Sequence, residues 1–385
     1  MISNLAQSLA DSLTLSIAAK AKELQENGVD VINFSVGEPD FETPDFIKKS
    51  AIDAINEGKT RYTKVSGIDE LRESIAKKYK VFNEMEISKE EVIVSTGAKQ
   101  NLINALFLLI NPGDEVLIPK PYWLSYPEMV KITGGKSVFV PGTRGKISAK
   151  DLEKYCSHRT KALILNNPNN PTGAVYRKEE LEEIGNFCVK EGINIIADEI
   201  YEDLNYVGKH ISIGSLSDGI KSQTITVSGF SKSYAMTGWR LGYSVQNKEW
   251  TKALEKIQGH TTSNANTISQ YAGLGALTKE DGSVKKMVET FNERRKYVKK
   301  AFDELGLEYI PMEGAFYGFF KVKELKKEKD SVEFCKELLE KIHIATVPGK
   351  VFGDDDYLRI SYAISMEEIK EGMKRLGEYM KGERS

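Results

Sequence analysis

SGFSKSYAMTGWRLGY, residues 228–243, is the stretch whose reading decides the fold. It follows Thr224-Ile225-Thr226-Val227, a β-branched apolar run that reads as a strand, and leads into a second strand-like run, Leu241 to Val245. The pattern breaks at Gly229, and a single lysine, Lys232, comes three residues later. Eight positions on stands Arg240, inside Gly238-Trp239-Arg240-Leu241-Gly242. One loop at a strand end thus presents an amine and a guanidinium, with glycines that let other backbone approach closely. An amine can form a Schiff base with a carbonyl. A guanidinium can grip a phosphate through two parallel hydrogen bonds. Taken alone, a loop lysine is more often a solvated surface charge, so the rest of the chain has to decide.

Upstream of this loop the rhythm is strand, helix, strand, helix. Strands are predicted at Val92 to Ser95, Val116 to Ile118, Ser137 to Val140, Lys161 to Leu165 and Ile193 to Ala197. Between them fall helical patterns at Leu102 to Ile110, Tyr126 to Thr133, Ala149 to Cys156 and Lys178 to Lys190. Such alternation predicts an α/β fold with a mostly parallel sheet covered on both faces, and ligands beyond the carboxyl ends of its strands. Nearer the N-terminus the pattern gives helices at Ser16 to Gln25, Pro44 to Asn56 and Ile68 to Tyr79, with a short strand at Val31 to Val36. After about residue 280 it changes to a long charged helix, Val284 to Glu304, then strands at Phe316 to Val322, Ile344 to Val347 and Leu358 to Tyr362 around a helix at Val332 to Lys341, and a final helix from Met366. The expected division is an N-terminal arm over 1–45 packing with the small domain, a large domain over 46–280 and a smaller α+β domain over 281–385.

The bulk numbers exclude several classes. In 385 residues, 54 Lys+Arg against 56 Asp+Glu give a formal charge of -2, so no basic excess argues for nucleic acid. Cys156, Cys188 and Cys335 are scattered, which suggests neither a disulfide framework nor a metal site and fits a reducing, cytoplasmic compartment. No basic segment followed by an apolar core reads as a signal peptide, and the most apolar run, Leu102 to Ile110, is too short to span a bilayer.

Four further groups fall at strand ends. Gly97-Ala98-Lys99 lies between a strand and a helix, where it is either an ordinary βα turn or a cradle of N–H groups for an anion. Asp198 ends an apolar strand and either caps the next turn or holds a proton on a pyridine nitrogen, which would make that ring an electron sink. Tyr201, three residues on, is either a core aromatic or a donor to a phenolic oxygen. Asn170 sits in a turn with two Asn-Pro steps, more than a simple reversal requires. Arg359, in Leu358-Arg359-Ile360-Ser361-Tyr362, is costly in an apolar strand unless paired, by a structural salt bridge or by a substrate carboxylate. Pyridoxal 5'-phosphate (PLP) offers both the carbonyl and the phosphate that Lys232 and Arg240 invite.

Taken together and in this order, Asn-Asn-Pro-Thr-Gly (169–173), Asp-Glu-Ile-Tyr (198–201), Ser-Lys-x-x-x-Met-Thr-Gly-Trp-Arg (231–240) and Arg-Ile-Ser-Tyr (359–362) resemble the class I and II aminotransferases. These are PLP enzymes of the aspartate aminotransferase fold, with a mostly parallel sheet of the seven-stranded type. The likeness runs nearly end to end and is nearest to the bacterial and archaeal branch of aspartate aminotransferases. It implies that Lys232 bonds the cofactor and moves the α-proton, that Asp198 pairs with the pyridine nitrogen, and that Tyr201 and Asn170 bond its phenolic oxygen. It implies a phosphate site at Gly97, Ala98, Arg240 and Ser231, and Trp123 stacked on the ring. Tyr62 would reach the phosphate of a second subunit, hence a homodimer with shared sites. Arg359 would take the substrate's α-carboxylate, helped by Asn170, Trp123 and the Gly37 backbone.

The implied reaction moves the amino group of an L-amino acid to 2-oxoglutarate by a ping-pong route. One aminotransferase branch uses a partner-chain arginine for the distal carboxylate, and Gln258-Gly259-His260-Thr261-Thr262-Ser263 supplies none here. Lys99, with Ser12 and Thr14, matches the bacterial branch instead and implies aspartate as donor. An aromatic or alanine-type aminotransferase, or a PLP-dependent lyase or synthase, stands on the same cofactor residues. A nicotinamide dehydrogenase would need a G-x-G-x-x-G after its first strand, which is absent. A transcription regulator built on this fold would need a winged-helix domain, for which no room precedes Gly37.

Overall fold

The computed structural model describes residues 2–10 and 13–384, without the side chains of 13–15, 18, 383 and 384. A two-residue strand, β1 (Ile32–Asn33), precedes a seven-stranded sheet built from β2 (Val92–Ser95), β3 (Glu115–Lys120), β4 (Lys136–Pro141), β5 (Thr160–Asn166), β6 (Asn194–Asp198), β7 (Thr224–Gly229) and β8 (Gly242–Val245). Their spatial order is β2-β8-β7-β6-β5-β3-β4; β8 runs antiparallel to both neighbours and the other pairs are parallel.

The central strands are apolar on both faces because both faces are covered. Leu163, Leu165, Ile195 and Ala197 pack with Leu181, Ile184 and Cys188 of the helix Lys178–Glu191. The intervening Ala162, Ile164 and Ile196 pack on the other side with Leu102, Ala105 and Leu106 of the helix Ala98–Leu109. Side chains alternate sides along a strand, so one continuous apolar run feeds two cores.

A second, antiparallel sheet joins β9 (Tyr317–Lys321), β11 (Val347–Pro348) and β12 (Tyr357–Ser361) in the order β11-β12-β9, while β10 (Ile344–Ala345) pairs in parallel with β1. Its core gathers Phe302, Phe320, Phe334, Leu338, Ile360 and Ile369 from this sheet and from the helices Ser283–Leu305, Ser331–Ile342 and Met366–Arg384.

Three expectations are corrected. The strand expected over Val31 to Val36 is only Ile32–Asn33, because the Asn33 side chain accepts from the Ser35 N–H at 3.1 Å and bends the chain out of the ladder. The strand expected over Ile344 to Val347 is two strands in two sheets. Four helices had no counterpart in the sequence reading: the five-residue Asn4–Ser8 and Asp218–Ser222, and the longer Lys248–Gly259 and Thr267–Thr278, the last two each capped by the asparagine before it. No described helix is long and apolar enough to cross a membrane.

Candidate active site

The carboxyl ends of β5, β6 and β7 open, with the edge of the second sheet, onto a cavity of about 650 Å³. Lys232 lies in the turn after β7 and lines it. Its Nζ donates to the Gly37 carbonyl at 2.6 Å, and no carboxylate pairs with it among the described residues. Burial pushes its proton affinity down to about 8, the charges of Arg359 and Arg240 assist, and Glu38 opposes them. Such an amine is part-neutral near physiological pH and so able to attack a carbonyl.

Asp198, the last residue of β6, is 4% exposed. Its Oδ2 accepts from the Tyr126 hydroxyl at 2.6 Å and its Oδ1 from the Ile200 N–H at 3.3 Å. Burial raises its carboxyl to about 6 even though the Tyr126 bond pulls the other way. The Tyr201 hydroxyl lies 2.9 Å from that of Tyr317. Arg359, on β12 opposite Phe319, is 4% exposed; its Nη1 donates to Asn170 Oδ1 at 3.1 Å and its Nη2 to the Ser35 carbonyl at 3.2 Å. Its Nε has no partner, and among the described residues no carboxylate pairs with it, so the salt-bridge reading falls away. The guanidinium rests instead over the Tyr317 ring, 4.4 Å from its centroid.

The helix Ala98–Leu109 starts four residues earlier than the sequence pattern suggests, which puts Ala98 and Lys99 in its first turn and Gly97 at its cap. Gly97 adopts φ +82°, and a Cβ there would lie 2.6 Å from Arg240 Nη2, so only glycine admits the guanidinium this close. Arg240 itself is at φ +52° and Ala235 at +50°, left-handed conformations that cost side-chain-bearing residues energy and cluster at functional sites. Arg240 Nη1 donates to the Thr237 carbonyl at 2.9 Å. Lys99 Nζ stands 4.8 Å from the Trp123 ring centroid and 3.4 Å from Ser125 Oγ; burial, then Arg240, lowers its proton affinity.

Of the residues singled out from sequence, Gly37, Ala98, Lys99, Trp123, Asn170, Asp198, Tyr201, Ser231, Lys232, Arg240 and Arg359 line this one cavity, with Gly97 beside them. Tyr62 does not; it is 91% exposed. Ser12 and the side chain of Thr14 lie outside the described residues. Tyr126, Tyr317 and Glu38 were missed. The signal for Tyr126 was its place three residues after Trp123, at the start of a helix. Tyr317 looks like any core aromatic in an apolar strand.

A family model described as aminotransferase class I and II matches residues 29–376. The chain belongs to this family. It is 45% identical over 377 residues to a probable aspartate/prephenate aminotransferase of Aquifex aeolicus, covering 96% of this chain and 95% of that one. It is 42% identical over 380 residues to the aspartate aminotransferase of Bacillus subtilis, 97% of each chain being covered. The solved aspartate aminotransferase of Thermus thermophilus with maleate superposes with a TM-score of 0.94 at 38% identity, over 98% of this chain and 99% of that one. This aminotransferase therefore has the PLP-dependent transferase fold, and its cofactor is PLP.

The residues present fit that cofactor. A buried carboxylate raised to about 6 suits a ring nitrogen that brings its own proton. Arg240 beside a helix N-terminus suits a phosphate.

Proposed function

We propose that this aminotransferase takes its amino group from aspartate and passes it to 2-oxoglutarate by a ping-pong route. The observation that carries the reading is a charge count. Arg240, Arg359 and Lys99 line the cavity, and among the described residues none has a carboxylate partner. Three unmatched cations suit three anionic groups: the cofactor's phosphate and the two carboxylates of a dicarboxylic amino acid.

When bound, PLP supplies an aldehyde that condenses with amines and a protonated ring that withdraws electrons from the substrate's Cα. Lys232 Nζ would hold the cofactor at its carbonyl carbon, and as a free, part-neutral amine it would take the proton from the substrate's Cα and give it back. Asp198, oriented by Tyr126, holds the proton at the ring nitrogen. Tyr201 and Asn170 would hold the phenolic oxygen, Trp123 would cover the ring, and Gly97, Ala98, Ser231 and Arg240 would hold the phosphate. Arg359, with its free Nε, takes the α-carboxylate beside Asn170 and the Gly37 backbone. Lys99 takes the distal carboxylate, with Ser12 and Thr14.

The exposure of Tyr62 supports its reaching the phosphate site of a second copy, in a homodimer with shared sites. The pairing of β1 with β10 supports an N-terminal segment, 1–45, packed on a small domain, 281–385, with 46–280 as the large domain. Three unpaired cysteines agree with a cytoplasmic setting. A second reading, an aromatic amino acid as alternative donor, is favoured by Trp123, Leu102 and Leu124 on the cavity wall.

Two experiments test this. Borohydride reduction of the PLP-loaded protein followed by peptide mapping should place the label on Lys232. The absorbance band at about 420 nm, expected of a protonated cofactor–lysine link, should bleach with aspartate and return with 2-oxoglutarate. A label elsewhere removes Lys232 from its role, and release of free ammonia with pyruvate from a donor carrying a β-leaving group, in place of amino transfer to 2-oxoglutarate, would mark a lyase.

A further inference from the structure

Behind the cavity floor lies a second polar cluster that the reaction above leaves unused. Glu199 and Glu202 each follow directly one of the two residues assigned to the cofactor, Asp198 and Tyr201. Asp198 and Tyr201 line the cavity, whereas Glu199 and Glu202 do not. Together with His210 they are no more than 3% exposed. Glu199 binds His210 Nε2 at 3.0 Å, and accepts from Ser212 Oγ at 3.0 Å and the Ile213 N–H at 3.3 Å. Glu202 pairs with Lys78 Nζ at 2.5 Å and accepts from Asn83 Nδ2 at 3.0 Å and Ser228 Oγ at 2.6 Å. Ser228 belongs to β7, which leads to Lys232, and Lys78 to the helix Asp69–Phe82. The turn that carries Asp198 and Tyr201 is thereby tied to three neighbouring segments from its far side.

The charges in this cluster do not balance by themselves. Two buried carboxylates face one lysine, and an unmatched buried carboxylate is costly. A proton on His210 closes the balance. Burial works against that proton, but Glu199 and Glu202 together outweigh burial and hold His210 above its ordinary value. For Glu202, burial alone would raise the carboxyl, and the charges of Lys78 and His210 bring it below the usual range. The ligating atoms of Glu199, Glu202 and His210 lie within 4.8 Å of one another, the spacing of a metal site. Lys78 and a protonated His210 already supply the positive charge such a site would need, so the cluster is complete without a metal.

We propose that Glu199, Glu202 and His210 are positioning residues, which clamp the Asp198–Tyr201 turn from behind and, through the His210–Glu199 pair, keep the field behind Asp198 close to neutral. The proposal rests on the reading of Asp198 and Tyr201 as cofactor-holding residues. Glu199 acts on Asp198 directly, its charge adding to the rise in the proton affinity of that carboxyl. The other titratable groups around the cluster are Lys78, Tyr79, Tyr234 and Tyr243, with Asp203 in the same turn and Tyr126 and Lys232 on the cavity side; the variants below leave them in place.

The test titrates the absorbance of the bound cofactor against pH in the PLP-loaded protein. His210→Asn should leave Glu199 unmatched, hold protons more tightly at the site, and move the midpoint up by about half a pH unit or more. The double variant Glu199→Gln/His210→Asn should bring the midpoint back to that of the parent. A purely structural role predicts the reverse ranking, with the double variant at least as disturbed as the single. An unmoved midpoint in His210→Asn, or a double variant that fails to restore it, overturns the proposal. If His210→Asn does not fold, Ser212→Ala removes a donor to Glu199 and should shift the midpoint in the same direction; no shift overturns the proposal equally. Borohydride mapping of the parent keeps the two readings apart, since a parent that does not link PLP at Lys232 refutes the functional reading itself.

Discussion

Replacing Asp198 with asparagine should stabilise the cofactor-free protein while weakening its hold on PLP. Burial raises the Asp198 carboxyl from 3.8 to about 6. At roughly 1.4 kcal/mol per pH unit, the difference amounts to about 3 kcal/mol. The sign follows from proton linkage. The folded protein binds this proton more tightly than the unfolded chain, so the group's contribution is fully present below the ordinary carboxylate value. It is lost as pH rises through that value to about 6, and is flat above. Asparagine does not titrate and escapes this loss. It keeps one carbonyl acceptor for the two donors now served, the Tyr126 hydroxyl at 2.6 Å and the Ile200 N–H at 3.3 Å, which costs about 1 kcal/mol.

The net expectation for Asp198→Asn is therefore a gain of about 2 kcal/mol at pH 8 without cofactor, shrinking to nothing or below as the pH approaches 4. With saturating PLP the order should reverse, because only the aspartate gains a protonated ring nitrogen as partner. Denaturant unfolding of both proteins between pH 4.5 and 8, with and without PLP, measures all of this. A loss of stability in the cofactor-free variant at pH 8, or a difference that does not vary with pH, would refute the assignment of Asp198 as a buried carboxylate awaiting a cation. An equal response of both proteins to PLP would remove the ring nitrogen as that cation.

Three further outcomes are expected. Lys99→Ala should raise KM for aspartate by about 10- to 100-fold, the loss of one charge-assisted bond, and for an aromatic amino acid by far less; equal effects would detach Lys99 from the distal carboxylate. Arg359→Lys should lower kcat/KM about 100-fold for every amino donor, because an ammonium cannot reproduce the paired donation of a guanidinium, while PLP absorbance stays as in the parent. Gly97→Ala, which forces a Cβ against Arg240 at φ +82°, should cost about 1–2 kcal/mol of stability and weaken PLP at least tenfold in equilibrium dialysis against the cofactor-free protein; unchanged affinity would place the phosphate elsewhere.

The sheet was legible because burial on both faces writes itself as unbroken apolar runs, as in Ala162 to Leu165 and Ile195 to Ala197. The cavity-lining residues were legible because strand-end loops carry chemistry that packing does not ask for. What the sequence hides depends on distant partners. The helix Thr267–Thr278 contains two glycines that weaken its propensity, yet Gly275 lets the Ser50 side chain of the helix Asp45–Asn56 come in close, and tertiary packing sets the element. Tyr126 and Tyr317 read as core aromatics until Asp198 and Tyr201 are brought to their hydroxyls. The short β1 and the split at Thr346 follow from one side-chain turn and a change of sheet, neither of which periodicity registers.

The charge balance of the cavity also ranks the amino donors. Lys99, Lys232, Arg240 and Arg359 face it against Asp198 and Glu38, an excess of two positive charges. A phosphate brings about two negative charges, which offsets that excess but leaves Arg359 and Lys99 without local counterions. On the proposed reading an α-carboxylate answers Arg359 for any amino acid, so discrimination falls on Lys99. Aspartate answers it with a carboxylate. An aromatic side chain brings no charge but can set its own ring face against the ammonium, as Trp123 already does at 4.8 Å, which retains part of the missing attraction. Alanine offers neither a charge nor a surface to cover the site. The preference for aspartate should accordingly be steeper against alanine than against an aromatic donor, and Lys99→Ala should flatten the first ratio more than the second.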